Sequence, residues 1–291
     1  MPTYSRRRFL AAGTGLVLAG PSLLAACGKD DPGSGSGGGN REGLALLPFL
    51  APGTVATGAQ RWAIGVGDTD AMLGVDELPS TLTVQFLFDG KELGSPMSAP
   101  RHAEGLPRPY YPYRTTFTAP GTYDVVATID GQEATMAFAL VPPEQVPLPK
   151  VGDKLPAAET PTTADGHGVD PICTRKPTCP LHEVTLTEAL GEGKPVGLLI
   201  ATPAYCQTAV CGPVLDVVLA ASEGLTDKVR LVHAEVYSDD TLASQAPVVS
   251  AYGMTFEPCL YLADASGTIV DRLDVLFDTA EVRTALEQLA A

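Results

Sequence analysis

Between Pro195 and Pro213 the chain reads PVGLLIATPAYCQTAVCGP. The first half of this stretch is an apolar run of strand length, and a helical pattern follows from Pro213 onward. Cys206 and Cys211 therefore lie where a buried strand ends and a helix begins. A helix N-terminus carries partial positive charge, which favours the reactive thiolate form of cysteine. The stretch thus predicts an α/β domain with two cysteines in a position suited to redox chemistry.

The spacing of these two cysteines restricts the local structure. On a continuous helix, five positions separate two Cα atoms by roughly 8 to 9 Å, whereas a disulfide needs less than about 7 Å. A bond between Cys206 and Cys211 therefore requires Cys206 in the loop and a helix that starts near Cys211. Pro213 agrees with that start, because proline suits the first helical turn.

The remainder of the C-terminal region alternates strands and helices. Hydrophobic periodicity predicts helical residues at 181–190, a strand at 196–201, a helix at 213–221, a strand at 229–236, helical residues at 241–252, strands at 259–263 and 268–273, and an amphipathic helix at 279–289. We therefore expect an α/β domain over residues 166–291.

This order of elements, with paired cysteines after the first central strand, resembles the thioredoxin-like superfamily. The sequence YGMTFEPCLYL at 252–262 matches the approach to the cis-proline strand of that family, and DASG at 264–267 matches the hairpin that follows. The resemblance implies a cis bond between Glu257 and Pro258, and a Pro258 that lies against the reactive cysteine and presents backbone to a substrate peptide.

By this resemblance Cys206 and Cys211 are the catalytic pair, and Tyr205, Glu257 and Pro258 bind the substrate. Two features depart from the family pattern. The family separates its cysteines by two residues rather than four, and it has a tryptophan where Tyr205 stands. We expect Cys206 to be the attacking sulfur and Cys211 its partner, with no cofactor.

The N-terminal region reads as all-β over residues 44–142. Alternating strands at 82–88, 123–129 and 134–141 are punctuated by the hairpin dipeptides Asp89-Gly90 and Asp130-Gly131. This spacing predicts a β-sandwich, and PGTYDVVA at 120–127 resembles a bacterial immunoglobulin-like domain. The loop at 101–112, with two adjacent tyrosines, is expected to be a rigid surface turn, with a binding edge as the alternative.

The first residues are predicted to be an export signal. SRRRFL at 5–10 matches a twin-arginine signal, and LAAC at 24–27 resembles a lipoprotein signal acylated at Cys27. Glycine and proline interrupt the apolar stretch between them, which argues against a membrane-spanning helix. Residues 1–27 are therefore expected to place the protein on the outer face of the cytoplasmic membrane of a bacterial envelope, anchored by lipid.

Two linkers and the net charge complete the predicted organisation. Residues 28–43 are rich in glycine and serine and predict a flexible tether, and the proline-rich residues 143–165 predict a stiff linker between the two domains. The formal net charge is −15 at pH 7. Such a charge repels nucleic acids, and we exclude nucleic-acid binding.

The remaining cysteines admit more than one interpretation. In an oxidising compartment Cys173 and Cys179 are expected to form a local structural disulfide. The alternative is that His167 and His182 join them as ligands of zinc or Cu(I); our prediction is the disulfide and no metal. Cys259 is expected to be buried, or else a third thiol beside the catalytic pair. His233 is predicted to be a core or edge histidine of its strand.

Several functions remain open at this point. The first is an extracytoplasmic thiol–disulfide oxidoreductase that acts on protein thiols or disulfides. The second is a non-catalytic envelope binding module with structural disulfides that recognises a partner protein. The others are Cu(I) handling and a peroxidase, since Thr208 and Cys211 have the spacing of the peroxiredoxin signature. The arginine that a peroxiredoxin needs near Glu257 or Pro258 is absent.

Overall fold

The computed structural model of the protein describes residues 43–51, 55–205 and 211–291. The predicted export signal, including Cys27, and nearly all of the predicted tether lie outside this part of the chain. None of the helices in the described ranges is both long enough and apolar enough to cross a membrane.

The N-terminal half forms one curled sheet around a hydrophobic core. Its strands are β1 (Ala45–Pro48), β2 (Gly58–Gly67), β3 (Thr81–Phe88), β4 (Lys91–Glu92), β5 (Met97–Pro100), β6 (Tyr111–Phe117), β7 (Gly121–Ile129) and β8 (Gln132–Leu140). They are ordered β4-β3-β7-β8-β1-β2-β6, with β5 also paired to β3. A sandwich of two separate sheets was expected. The strands form one sheet because β1 pairs antiparallel with β2 and in parallel with β8.

Local sequence signals in this sheet are confirmed. Asp89 and Asp130 both have positive φ values of 50°, and each is followed by a glycine that also has positive φ, which is the backbone of the expected two-residue hairpin turns. At the start of β7, the Tyr123 hydroxyl donates a hydrogen bond to the Ala119 carbonyl at 2.7 Å. A tyrosine bonded to backbone a few residues upstream is a feature of immunoglobulin-like sandwiches.

The C-terminal half contains a four-stranded mixed sheet. Its strands are β9 (Val196–Ile200), β10 (Arg230–Ala234), β11 (Cys259–Ala263) and β12 (Ile269–Asp274), in the order β10-β9-β11-β12. Strands β9 and β10 are parallel, and β11 is antiparallel to both β9 and β12. The helices are α1 (Leu186–Gly191), α2 (Cys211–Ala221), α3 (Pro247–Ala251) and α4 (Thr279–Leu289). This half therefore combines a mixed sheet with helices, as the α/β prediction for residues 166–291 required.

Residues 143–165, predicted to be an interdomain linker, pack against the second sheet. Val146, Leu148 and Leu155 are buried in the same core as Val196 and Tyr261. Their apolar side chains lie between prolines that keep the segment extended. The predicted helical region at 241–252 is shorter than expected, because only Pro247–Ala251 is helical.

The two sheets meet at a buried polar contact between β2 and α4. Two guanidinium nitrogens of Arg61 donate to the Glu281 carboxylate, Nε to Oε1 at 2.7 Å and Nη2 to Oε2 at 2.6 Å. The Tyr110 hydroxyl donates to the same carboxylate. Residues from Asn40 to Ala291 form one compact unit.

Candidate functional site

The exit of β9 is the centre of the predicted redox site. All five residues of β9 are buried, and the strand runs between β10 and β11. The chain then leaves the sheet through Ala201 to Tyr205. The helix α2 is described from Cys211 to Ala221, and the start near Cys211 that a Cys206–Cys211 bond requires stays a prediction. Cys206 lies outside the described residues.

Glu257 and Pro258 lie directly beside this exit. The Glu257–Pro258 bond is cis, as the resemblance implied. Pro258 is buried and precedes Cys259, which pairs in register with Ile200 at the end of β9. The Glu257 carboxylate accepts a hydrogen bond from the Thr202 N–H at 2.8 Å. The structure therefore brings these two predicted site residues to the strand exit, and places the half-buried Tyr205 three residues beyond Thr202.

A second buried carboxyl group, Glu235, lies at the same exit. It is 1 % exposed, and its Oε1 atom accepts hydrogen bonds from the backbone N–H and the hydroxyl of Thr174. Its Oε2 atom and the Thr202 hydroxyl are buried without hydrogen-bond partners among the described residues. Glu235 was missed from the sequence. The available signal was a charged residue directly after the apolar run of β10.

The two carboxyl groups have perturbed acidities. Burial raises the pKa of Glu257 to about 7, although the hydrogen bond from Thr202 opposes the shift, and the nearby Glu235 adds to it. Burial also raises the pKa of Glu235, while His233 opposes that shift. Glu257 is therefore a group that exchanges a proton near neutral pH at the end of β9.

Cys173, Cys179, His182 and His233 converge at the edge of the second sheet. All four residues are buried, and one potential ligand atom from each lies within 4.8 Å of the others. His182 Nε2 is 3.1 Å from His233 Nδ1, and Cys179 Sγ is 3.6 Å from the same His233 nitrogen. His167, which the sequence suggested as a partner, is not part of this group.

The predicted disulfide between Cys173 and Cys179 is not present in the structure, where both are free thiols. The two sulfurs lie close to two imidazole rings as well as to each other. The hydrogen bond from Cys179, with further ones from His182 and His233, lowers the pKa of Cys173. The neighbouring Cys173 sulfur in turn raises the pKa of Cys179. The predicted core histidine His233 is indeed buried.

Cys259 is fully buried in β11, where its thiol donates to Asp274 Oδ1 at 3.2 Å. Burial raises its pKa well above the ordinary value, and the Asp274 carboxylate adds to the shift. A buried thiol that stays protonated is chemically inert. The interpretation of Cys259 as a buried residue is the one that agrees with the structure.

The adjacent tyrosines of the loop at 101–112 do not form an exposed binding edge. Tyr110 and Tyr111 are both fully buried. The Tyr110 hydroxyl donates to Glu281 at 2.6 Å, and the Tyr111 hydroxyl donates to the Pro79 carbonyl at 2.6 Å. This loop therefore joins the two halves of the molecule.

No protein-family model matches the chain, and no curated protein does so either. Among solved structures, MTB dsbF in mixed oxidised and reduced forms covers 37% of this chain and 88% of its own, at 21% identity and a TM-score of 0.29. The match to titin M4 covers 35% of this chain and 97% of the titin domain, at 17% identity and a TM-score of 0.21. The match to the complex of titin M10 with obscurin-like 1 Ig covers 34% of this chain and 91% of the matched chain, at 20% identity and a TM-score of 0.21.

Proposed function

We propose that the protein is a thiol–disulfide oxidoreductase that uses Cys206 and Cys211. The observation that carries the proposal is the position of Cys211 as the first described residue of α2, the helix that follows the buried central strand β9 along the chain. The dipole of this eleven-residue helix favours a thiolate at its first turn. In the proposal, these two cysteines exchange with substrate disulfides.

The proposed reaction balances as a two-electron exchange. The Cys206 thiolate attacks one sulfur of a substrate disulfide, and the substrate S–S bond breaks to give a mixed disulfide and one substrate thiolate. The Cys211 thiolate then attacks the Cys206 sulfur and releases the second substrate thiolate. The substrate disulfide is reduced by two electrons, and the Cys206–Cys211 pair is oxidised by the same two electrons.

Glu257 supplies a proton acceptor at this location. A carboxyl group with a pKa of about 7 at the exit of β9 takes up the proton that a cysteine thiol loses when it becomes a nucleophile. Pro258 and the half-buried Tyr205 flank the same exit and would contact the substrate peptide.

The proposal includes the cellular setting that the first residues suggest. A twin-arginine signal followed by an acylated Cys27 would fix the protein to the outer face of the cytoplasmic membrane, with the tether holding the folded part away from the lipid. Its partners would be the thiols or disulfides of proteins outside the cytoplasm. Measurement of the acyl mass on a Cys27 peptide, with Cys27→Ser as the unmodified control, tests this part separately.

Insulin reduction by the full chain, with dithiothreitol as electron donor, tests the enzyme proposal. We expect Cys206→Ser to abolish the protein-dependent rate, and Cys211→Ser to trap the mixed disulfide. Cys259→Ser is the matched control and should retain the rate, since its thiol is buried away from solvent.

The reduction potential of the Cys206–Cys211 pair gives an independent criterion. A value between about −270 and −120 mV is the range of exchanging dithiols, whereas a value below about −300 mV indicates a structural bond. An unchanged insulin rate in Cys206→Ser, or a potential in the structural range, contradicts the proposal and favours the binding-module alternative.

A further inference from the structure

We propose that Cys173, Cys179, His182 and His233 form a closed tetrahedral zinc(II) site that fastens the segment at 173–182 to the edge of the second sheet. The segment supplies three ligands, and β10 supplies His233. A backbone hydrogen bond holds the segment next to β10, because the His233 N–H donates to the Leu181 carbonyl at 3.1 Å. The site is separate from the Cys206–Cys211 pair and does not depend on the proposed function.

In each imidazole, the nitrogen that points away from the group of four, here called the outer nitrogen, has a backbone carbonyl as its partner. His182 Nδ1 lies 3.0 Å from the Pro161 carbonyl oxygen, and His233 Nε2 lies 3.0 Å from the Ala201 carbonyl oxygen. A carbonyl oxygen accepts hydrogen bonds and cannot donate them, so each of these outer nitrogens must carry the proton. In its neutral form, each ring then directs the lone pair of its other nitrogen inward.

The two inward nitrogens are only 3.1 Å apart. Two lone pairs at this distance repel each other, and in a buried site no bulk water relieves them. A cation between the rings turns the repulsion into two coordinate bonds. The pattern is also that of metal-binding histidines in general, whose second ring nitrogen donates to a backbone carbonyl or carboxylate that fixes the tautomer.

The distances fit a tetrahedral ion. Bond lengths of about 2.0 Å for Zn–N and about 2.3 Å for Zn–S imply tetrahedral edges of about 3.3 Å between nitrogens and about 3.5 Å between nitrogen and sulfur. The observed separations are 3.1 Å for the two nitrogens and 3.6 Å for Cys179 Sγ to His233 Nδ1. These two separations therefore match a tetrahedral ion, and the other ligand atoms lie within 4.8 Å of one another.

The ligand chemistry selects zinc. Two thiolates and two imidazoles in a tetrahedron are the donor set of structural zinc sites, and two thiolates neutralise the charge of the ion. Calcium and magnesium require oxygen ligands, and no carboxylate belongs to the group of four. All four ligands are buried, so the site has no open position for water or substrate, which makes its role structural.

The position of the site gives it a consequence for the predicted redox loop. Thr174, next to the Cys173 ligand, holds Glu235 through its N–H and accepts a hydrogen bond from the Ala204 N–H at 3.1 Å. The Ala201 carbonyl, which accepts a hydrogen bond from His233 Nε2, lies at the exit of β9. Zinc at this point would therefore hold Thr174 and the Ala201 carbonyl in place at the end of β9, a few residues before Cys206 in the sequence.

The test is the zinc content and cobalt spectrum of the purified full chain under reducing conditions. We expect about one zinc per chain and, after exchange with Co²⁺, the intense visible bands of tetrahedral coordination together with thiolate charge-transfer absorption. Cys179→Ser and His233→Asn should lose the metal. His167→Gln and the Cys206→Ser/Cys211→Ser double variant are the matched controls and should keep it.

The wild-type measurement remains decisive even if a ligand variant does not fold. Removal of zinc from the wild type by a chelator should lower its Tm by about 5 °C or more, because a structural metal contributes to folding. Zinc content near zero in the reduced chain, a native disulfide between Cys173 and Cys179, or preferential binding of Cu(I) over zinc would each overturn the proposal. A wild type that binds zinc but does not reduce insulin would uphold this site while refuting the redox function.

Discussion

At the scale of single residues, the raised pKa of Glu257 makes the stability of the protein depend on pH. Its carboxyl group is bonded to the Thr202 N–H but is otherwise placed in apolar surroundings near Glu235. Water solvates the ionised form better in the unfolded chain than this site does in the folded protein. The folded state therefore retains a proton to higher pH than the unfolded state does.

This difference predicts the direction of a pH effect. Because the pKa of Glu257 rises to about 7 on folding, the folded state binds more protons between about pH 4.5 and 7, and stability falls as the pH rises through that window. The full shift corresponds to roughly 3 kcal/mol. Solvent reaches part of the carboxyl group, so we expect about 1 to 2 kcal/mol.

Glu257→Gln removes this titration while keeping an amide oxygen to accept the Thr202 hydrogen bond. Urea unfolding at pH 5 and pH 8 measures the effect. Between pH 5 and pH 8 the wild type should lose about 1 to 2 kcal/mol more of its free energy of unfolding than the variant does. An identical pH dependence in both proteins would show that Glu257 does not retain its proton in the folded state.

Residue-scale prediction from the sequence was uneven at the site. Glu257 and Pro258 were identified because they stand in a contiguous motif next to a strand. The participation of His233 was not identified, because 54 residues separate it from Cys179 and its pattern is simply that of a buried strand. His167 is nearer in sequence to the cysteines, yet the chain reverses at that point with a positive φ of 48°, and the group of four excludes it.

At the scale of elements, the contact of β2 with α4 is the feature that joins the two sheets. Arg61 is almost completely buried, and besides Glu281 it donates to the carbonyls of Asp274 and Leu276. Burial alone would lower the pKa of Arg61, but the Glu281 carboxylate outweighs this and raises it. Burial alone would likewise raise the pKa of Glu281, but Arg61 lowers it. The pair is therefore ionised on both sides.

Breaking this pair should be costly. Arg61→Met leaves the Glu281 carboxylate buried without its main counter-charge, and we expect a loss of about 3 to 5 kcal/mol in the free energy of unfolding. The matched control is Glu287→Gln, which breaks the exposed ion pair with Arg283 on the same helix and should cost at most about 0.5 kcal/mol. Equal effects in the two variants would contradict the assigned importance of the buried contact.

Most elements were predictable because their signals are local. The hairpin turns at Asp89-Gly90 and Asp130-Gly131 depend on dipeptides that tolerate positive φ, and α4 spans the predicted residues, Thr279–Leu289. The short α3 was overestimated because a helical pattern at 241–252 includes Pro247, which suits a first turn and therefore marks the start of the helix.

At the scale of the whole molecule, the two halves are expected to unfold together. Residues Asn40 to Ala291 form one compact unit. A hydrophobic cluster of Ala63, Tyr110 and Leu276 spans the junction, and Arg114 makes a bidentate contact with Asp271. Unfolding of either half would expose these buried groups in the other half.

Calorimetry of the full chain tests this cooperativity. We expect one transition with equal van't Hoff and calorimetric enthalpies, and Arg61→Met should lower its Tm by about 6 to 20 °C, following from a loss of 3 to 5 kcal/mol. Two resolved transitions in the wild type would show that the junction is weaker than its buried contacts imply. Two transitions in Arg61→Met alone would instead identify this contact as the element that couples the halves.

The sequence by itself determined the order of the elements and the tight turns, because each depends on residues within one or two turns of each other. The cis bond before Pro258 was implied by the family resemblance and is present in the structure. Tertiary structure decided which residues meet across long separations. It joined the expected two sheets of the sandwich into one, packed the supposed linker against the second core, buried Glu235 beside Glu257, and brought His233 to Cys173, Cys179 and His182. These outcomes depend on strand register and on the packing of apolar faces, which short-range patterns do not specify.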